Sequence, residues 1–179
     1  MALLEIIKYG DPVLRQEAAP VEQFDDELFE LVDDMIETMQ AANGIGLAAP
    51  QVNVSKALCV VDVGLIEEGR EPQAFVNPEI LEEFGDKAVR EEGCLSIPDI
   101  SEDVERIEGV RVRYQDLSGE THEIQVNELF ARVLQHEIDH LNGVFFTDRL
   151  SALKRKLLSK KLRKIAAEAK EERLLRRAK

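Results

Sequence analysis

Apolar residues recur at three- and four-residue steps along residues 25–41, where Leu28, Leu31, Val32, Met35, Ile36 and Met39 share one face. That spacing predicts an amphipathic helix. Asp25 is placed to cap it ahead of an acidic first turn, and Asn43-Gly44 to stop it. Residues 57–63 (ALCVVDV) form a short β-branched run ended by Gly64, and residues 74–76 a shorter one expected to stop at Asn77-Pro78. Residues 107–114 alternate, turn through 116–119 and resume over 120–126, the pattern of a hairpin. Helical spacing returns over residues 128–141, with Asn127 as the expected N-cap and Asn142-Gly143 at the end. From about Leu150 to the terminus, Leu150, Leu153, Leu157, Leu158, Leu162, Ile165 and Ala169 fall on one face of a third helix. Strands set between helices, without regular βα alternation, predict an α+β fold with a largely antiparallel sheet. No internal repeat, low-complexity tract or linker divides the chain.

A chain of 179 residues, 44% of them hydrophobic, can bury a core without staples. It has no apolar run long enough to span a bilayer, and its opening residues lack the basic and apolar regions of a signal peptide. A cytoplasmic protein with no membrane partner is expected. Cys59 and Cys94 are too few for a disulfide framework and are expected as thiols. Charge changes the picture more. Residues 151–179 hold 12 Lys/Arg against three Glu, a net +9, and residues 1–150 hold 11 against 33 acidic residues, a net −22, so the overall −13 conceals a split molecule. The body should repel nucleic acid, DNA included, while the tail could bind it.

The strongest chemical signal is Gln135-His136-Glu137-Ile138-Asp139-His140, which contains H-E-x-x-H. On a helix His136 and His140 lie one turn apart and can face one ion, with Glu137 beside them as general base for a metal-bound water. Leu134, Ile138 and Leu141 give the same helix a buried side, which makes it an interior element rather than a solvated one. Catalytic zinc-type sites usually carry three protein ligands and a water. C-terminal to the motif only Asp148 and the tail glutamates are available, and His122 reads as a solvated strand histidine. Cys94, 42 residues upstream of His136 and beside Gly93, is the better donor. Cys59, inside an apolar strand, reads as inert. A Cys94/His nucleophile pair would leave Glu137, set between two histidines, without a role.

Three segments in order, Gly44-Ile45-Gly46-Leu47-Ala48-Ala49-Pro50-Gln51, Glu92-Gly93-Cys94-Leu95-Ser96 and Gln135 to His140, closely resemble the motifs of the peptide deformylases. The resemblance extends from Gly10-Asp11-Pro12-Val13-Leu14-Arg15 to about Leu150, which makes residues 1–150 the expected catalytic domain and 151–179 a basic helical extension of it. It implies an α+β fold with antiparallel sheets around a central metal-binding helix, flanked by an N-terminal and a C-terminal helix. It further implies removal of the formyl group from formyl-methionyl nascent peptides, with release of formate. By position, Cys94, His136 and His140 would hold a divalent ion, Fe²⁺ in this family, with Zn²⁺, Ni²⁺ or Co²⁺ also accommodated by such donors. Glu137 would be the acid/base, and Gln51 and the Leu95 N–H would stabilise the oxyanion. Backbone groups around Ile45 and Gly46 would hold the peptide as an added strand.

The methionine side chain needs an apolar pocket, for which Ile45, Leu129 and Val133 are the candidates; ordinary core would look the same. Arg132 falls where some members of the family have an apolar residue. Glu92 is a candidate to receive the second ring nitrogen of a ligand histidine, while Asp139 is expected as a solvated carboxylate. The basic tail would suit ribosomal RNA, or simply the acidic body. Two other classes stay open, a zinc endopeptidase and a catalytically idle ribosome-binding relative.

Overall fold

The computed structural model describes residues 2–179. Three α-helices, α1 (Asp26–Ala41), α2 (Glu128–Leu141) and α3 (Ala152–Arg177), surround five strands, β1 (Gly46–Ala48), β2 (Leu58–Val61), β3 (Gln73–Cys94), β4 (Ile97–Gln115) and β5 (Thr121–Asn127). The strands pair in chain order as one antiparallel sheet. Asp25 caps α1 as expected, its carboxylate accepting the Leu28 N–H at 3.1 Å. Asn127 precedes α2 but its side chain makes no capping hydrogen bond.

Strand alternation explains why the shortest strands are the most apolar. Cys59 and Val61 of β2 point into a core shared with Phe75, Phe130 and Leu134, on the side of α2. Leu58 and Val60 point the other way, among Leu28, Val32, Met35 and Met39 of α1. With helices on both faces, β2 has no polar side to offer. A third cluster joins Ile7, Leu14, Phe145 and Phe146 to Leu158, Leu162 and Ile165 of α3.

The sequence expectations need three corrections. The strand expected to end at Asn77-Pro78 continues to Cys94, and its partner starts at Ile97, ten residues before the expected edge. Register shifts at Val76/Glu79, Ile80/Glu82, Phe84/Lys87 and Gly93/Cys94 break the period of two that would have marked these strands. Leu153 and Leu157, expected on the buried face of α3, are 66% and 73% exposed, because at 3.6 residues per turn they lie roughly 110–150° around the helix from the buried stripe of Leu158, Leu162, Ile165 and Ala169.

The body approaches α3 closely at Gly10, which has φ +106° and whose absent Cβ would lie 2.5 Å from the Ala166 Cα. Gly10→Ala should therefore cost about 2 kcal/mol, from the positive φ and the clash together. Urea unfolding measures this; an unchanged midpoint would show that α3 does not pack on this turn.

Candidate metal centre

One face of α2 carries Leu129, Arg132, Val133, His136 and Glu137 into a cavity of about 280 Å³. The opposite wall comes from the Asn43–Gly46 segment, Gln51 and the Glu91–Leu95 end of β3. All the pocket candidates, Ile45, Gly46, Leu129 and Val133, thus line one space, as do Gln51, Leu95 and Glu92. Leu129 is 47% exposed, so it stands at the rim.

Cys94, the last residue of β3, is brought against the two histidines. Its Sγ lies 3.3 Å from His140 Nε2. One donor atom from each of Cys94, His136 and His140 falls within 4.8 Å of the others. His136 turns Nδ1 away, to Glu92 Oε1 at 2.9 Å, which leaves Nε2 for the donor cluster. Burial, and then the neighbouring His136, hold the His140 ring well below the usual imidazole range, so it stays neutral and able to ligate. Burial also draws His136 down, but its hydrogen bonds to Cys94 and Glu92 outweigh this and place it at about 10.

Glu137 sits beside the cluster, 4% exposed, with Oε2 lacking any hydrogen-bond partner among the described residues. Burial pushes its carboxyl up to about 7. Such a carboxyl can hold or release a proton near neutrality, provided something polar occupies the cavity in front of it. Gly46 makes room for it, since a Cβ there would lie 2.6 Å from Glu137 Oε1. The donor set, the orphaned oxygen and the cleared space fit a divalent ion with a polar ligand of its own.

Gln51 is held by its own loop, its Oε1 accepting the Ala48 N–H at 2.9 Å and its amide donating to Ser96 Oγ at 3.1 Å. The same amide also donates to Cys94 Sγ at 3.6 Å, a long contact on the side of the cavity that both residues line. The N-terminal segment fixes both loops, with Ile7 N–H donating to the Gln51 carbonyl at 2.7 Å and Tyr9 N–H to the Ser96 carbonyl at 2.8 Å.

Behind the cavity lies a buried ionic network. Arg106 Nε and Nη2 donate to the two oxygens of Glu92 at 2.6 and 2.9 Å, and its Nη1 to Asp139 Oδ2 at 2.9 Å. Arg149 donates twice to Asp139, at 2.6 Å each. Burial would raise the Glu92 carboxyl, but His136 and Arg106 hold it at about 2, so it is ionised. Asp139 is thus no solvated carboxylate; it is 8% exposed and shared by two arginines. Sequence reasoning missed Arg106 and Arg149, which look like any strand or loop cation until folding sets them against Glu92 and Asp139. His122 stands on β5 as expected, hydrogen-bonded to Asp116 at 2.7 Å and stacked on Tyr114, away from the cavity lining.

A cysteine from a strand end and an H-E-x-x-H helix beside one cavity in an α+β domain are the donor arrangement of a metallohydrolase. Comparison with known proteins narrows the class. The sequence pattern of the family described as Polypeptide deformylase matches residues 3–156. A peptide deformylase of Acidobacterium capsulatum is 52% identical over 165 residues, covering 92% of this chain and 96% of that protein. The crystal structure of peptide deformylase from Thermus thermophilus superposes with a TM-score of 0.85 at 41% identity, covering 93% of this chain and 99% of that one. A Plasmodium falciparum peptide deformylase gives 0.86 at 39% identity, covering 93% and 97%. The chain belongs to the polypeptide deformylase family, the hydrolases that remove the N-formyl group from nascent polypeptides.

The network makes a stability prediction. Arg106→Met takes a shared cation from two buried carboxylates, leaving Glu92 to Arg132 and His136 and Asp139 to Arg149, and should cost about 3 kcal/mol, against less than about 1 kcal/mol for Arg111→Met, whose partners Glu82 and Glu123 are exposed. Chemical denaturation of both variants compares them; equal losses would contradict the network's role.

Proposed function

We propose that this protein hydrolyses the formyl group of formyl-methionyl nascent peptides at a mononuclear metal site in the cytoplasm. Cys94, His136 and His140 hold the ion, Fe²⁺ by preference, with Zn²⁺, Ni²⁺ or Co²⁺ able to substitute at a mixed thiolate and imidazole site. When bound, the ion supplies Lewis acidity toward the formyl oxygen and makes water a competent nucleophile at neutral pH. Residues 1–150 form the catalytic domain, and 151–179 extend it.

The remaining chemistry belongs to the chain. Glu137 takes the proton from the attacking water and returns it to the leaving amine, a task its buried carboxyl suits because its affinity for a proton lies close to neutral. The Gln51 amide, whose contact with Cys94 Sγ is long, and the Leu95 N–H are neutral donors, so they meet the oxygen on which negative charge develops without themselves titrating. Ile45 and Gly46 present backbone next to the edge strand β1 for an extended peptide, and Ile45, Leu129 and Val133 enclose the methionine side chain. Glu92 fixes the His136 ring through Nδ1. The observation that carries this reading is the orphaned oxygen of Glu137, which lines one cavity with Cys94 and His136, two of the three clustered donors. A zinc endopeptidase would need its third ligand outside the Cys94 cluster, and an idle relative would have no use for a buried Glu137.

The exposed lysines of α3, among them Lys156, Lys160, Lys161 and Lys164, form a basic outer face suited to ribosomal RNA. Replacing these four by Gln leaves the buried Leu158, Leu162 and Ile165 in place. Ribosome co-sedimentation at low salt should weaken while turnover of a short formyl peptide is retained; undiminished co-sedimentation would rule out this partner.

The activity is tested by formate release from a formyl-Met tripeptide, with protein loaded anaerobically with Fe²⁺ and internal peptide cleavage assayed beside it. Glu137→Gln should lower kcat at least about 100-fold while metal content stays that of the wild type, and Cys94→Ala should lose both. Internal cleavage without formate would move the protein to the endopeptidases.

A further inference from the structure

Arg132 is assigned no part in the chemistry above, yet its surroundings are as specific as those of any residue in the site. It leaves α2 one turn before His136 and is 9% exposed. Its Nη1 donates to Glu92 Oε2 at 2.5 Å and to the Val104 carbonyl at 2.9 Å, and its Nη2 to the Ala88 carbonyl at 2.8 Å. One guanidinium thus ties the metal-binding helix to both β3 and β4.

Glu92 is the link to the centre. A carboxylate has about four lone-pair sites. Those of Glu92 receive two donations from Arg106, one from Arg132 and one from His136 Nδ1. With Oε2 held between two guanidinium groups, Oε1 stays aimed at the imidazole. Arg106 cannot do this alone, because it also serves Asp139. Arg132 adds the donor and the charge that Arg106 divides.

We propose that Arg132 is a positioning residue of the metal centre, acting through Glu92 to fix the His136 imidazole, and so setting metal retention and turnover. The proposal rests on the reading that Cys94, His136 and His140 hold a divalent ion. It differs from a role in substrate binding, which the position also invites. Arg132 lines both the catalytic cavity and an adjoining space of about 450 Å³, so a wall residue at this position would act on peptide affinity.

The test uses the full chain loaded with Co²⁺, as wild type, Arg132→Met, Arg132→Lys, Glu92→Gln and the double variant Glu92→Gln/Arg132→Met. Visible absorption, the rate of Co²⁺ loss to a chelator, thermal unfolding and the kinetics of formate release are read together. Arg132→Met should shift the Co²⁺ bands and lose the ion about 10-fold faster, in the range found for groups that orient a metal ligand. Its kcat should fall while KM stays within about twofold of wild type. Arg132→Lys, which keeps a cation at Glu92, should recover most of the loss. On the Glu92→Gln background Arg132→Met should alter Co²⁺ loss by less than about twofold, because its route to His136 is gone. A folded Arg132→Met with wild-type bands and wild-type Co²⁺ loss overturns the proposal. So does an undiminished effect on the Glu92→Gln background, or a change confined to KM. If Arg132→Met does not fold, Arg132→Gln takes its place under the same criteria. A wild type that takes up no Co²⁺ would sink the metal reading and this proposal with it, which separates that failure from one of Arg132 alone.

Discussion

A carboxylate with a side chain only 5% exposed is expensive to bury, and Glu92 is ionised in that setting. Several kcal/mol of lost hydration must be offset by partners with good geometry. Satisfying this one charge dictates much else. Arg106 has to come from β4, Arg132 from α2, and His136 has to present Nδ1 rather than Nε2. Once those donors are in place, the helix that carries H-E-x-x-H is fixed in rotation and depth against the sheet. The second imidazole, one turn on, then falls beside Cys94 without further adjustment. Asp139 and Arg149 extend the same network to the chain beyond α2.

Around that fixed point the apolar scaffold sets distances. β2 is buried on both faces, clamping α1 to one side of the sheet and α2 to the other. The N-terminal segment ties the Gln51 loop to the Ser96 turn by backbone hydrogen bonds, which holds Gln51 and the neighbouring Cys94 in one frame. Gly46 shows the tolerance involved, since one methyl group there would displace Glu137. A preorganised site of this kind spends little reorganisation energy when charge develops in it.

What the sequence made legible follows the same division. Periodic elements such as α1 and α2, with strong apolar faces and an Asp or Asn before them, could be read directly, and so could H-E-x-x-H, because its chemistry is local to one helical turn. Cys94 could be chosen only by eliminating Cys59, Asp148 and His122 on their neighbours. The long arms of β3 and β4 were hidden by bulges and by charges on both faces, which erase a period of two. Asp139 looked solvated because nothing in its neighbourhood along the chain announces Arg106, 33 residues away. The overestimated contact face of α3 has a different cause: Leu153 and Leu157 follow three- and four-residue steps locally but lie well around the helix from the stripe of Leu158, Leu162, Ile165 and Ala169.

If Glu92 accepts the His136 Nδ1–H, then Nε2 is left to face the donor cluster. Nitrogen-resolved NMR of the imidazoles, in protein loaded with diamagnetic Zn²⁺, reads this proton. A slowly exchanging, downfield Nδ1–H signal from His136 should be present and lost in Glu92→Gln, with Zn²⁺ perturbing Nε2 of both His136 and His140. A His136 ring that carries its proton on Nε2, or an Nδ1–H signal indifferent to Glu92→Gln, would contradict that assignment.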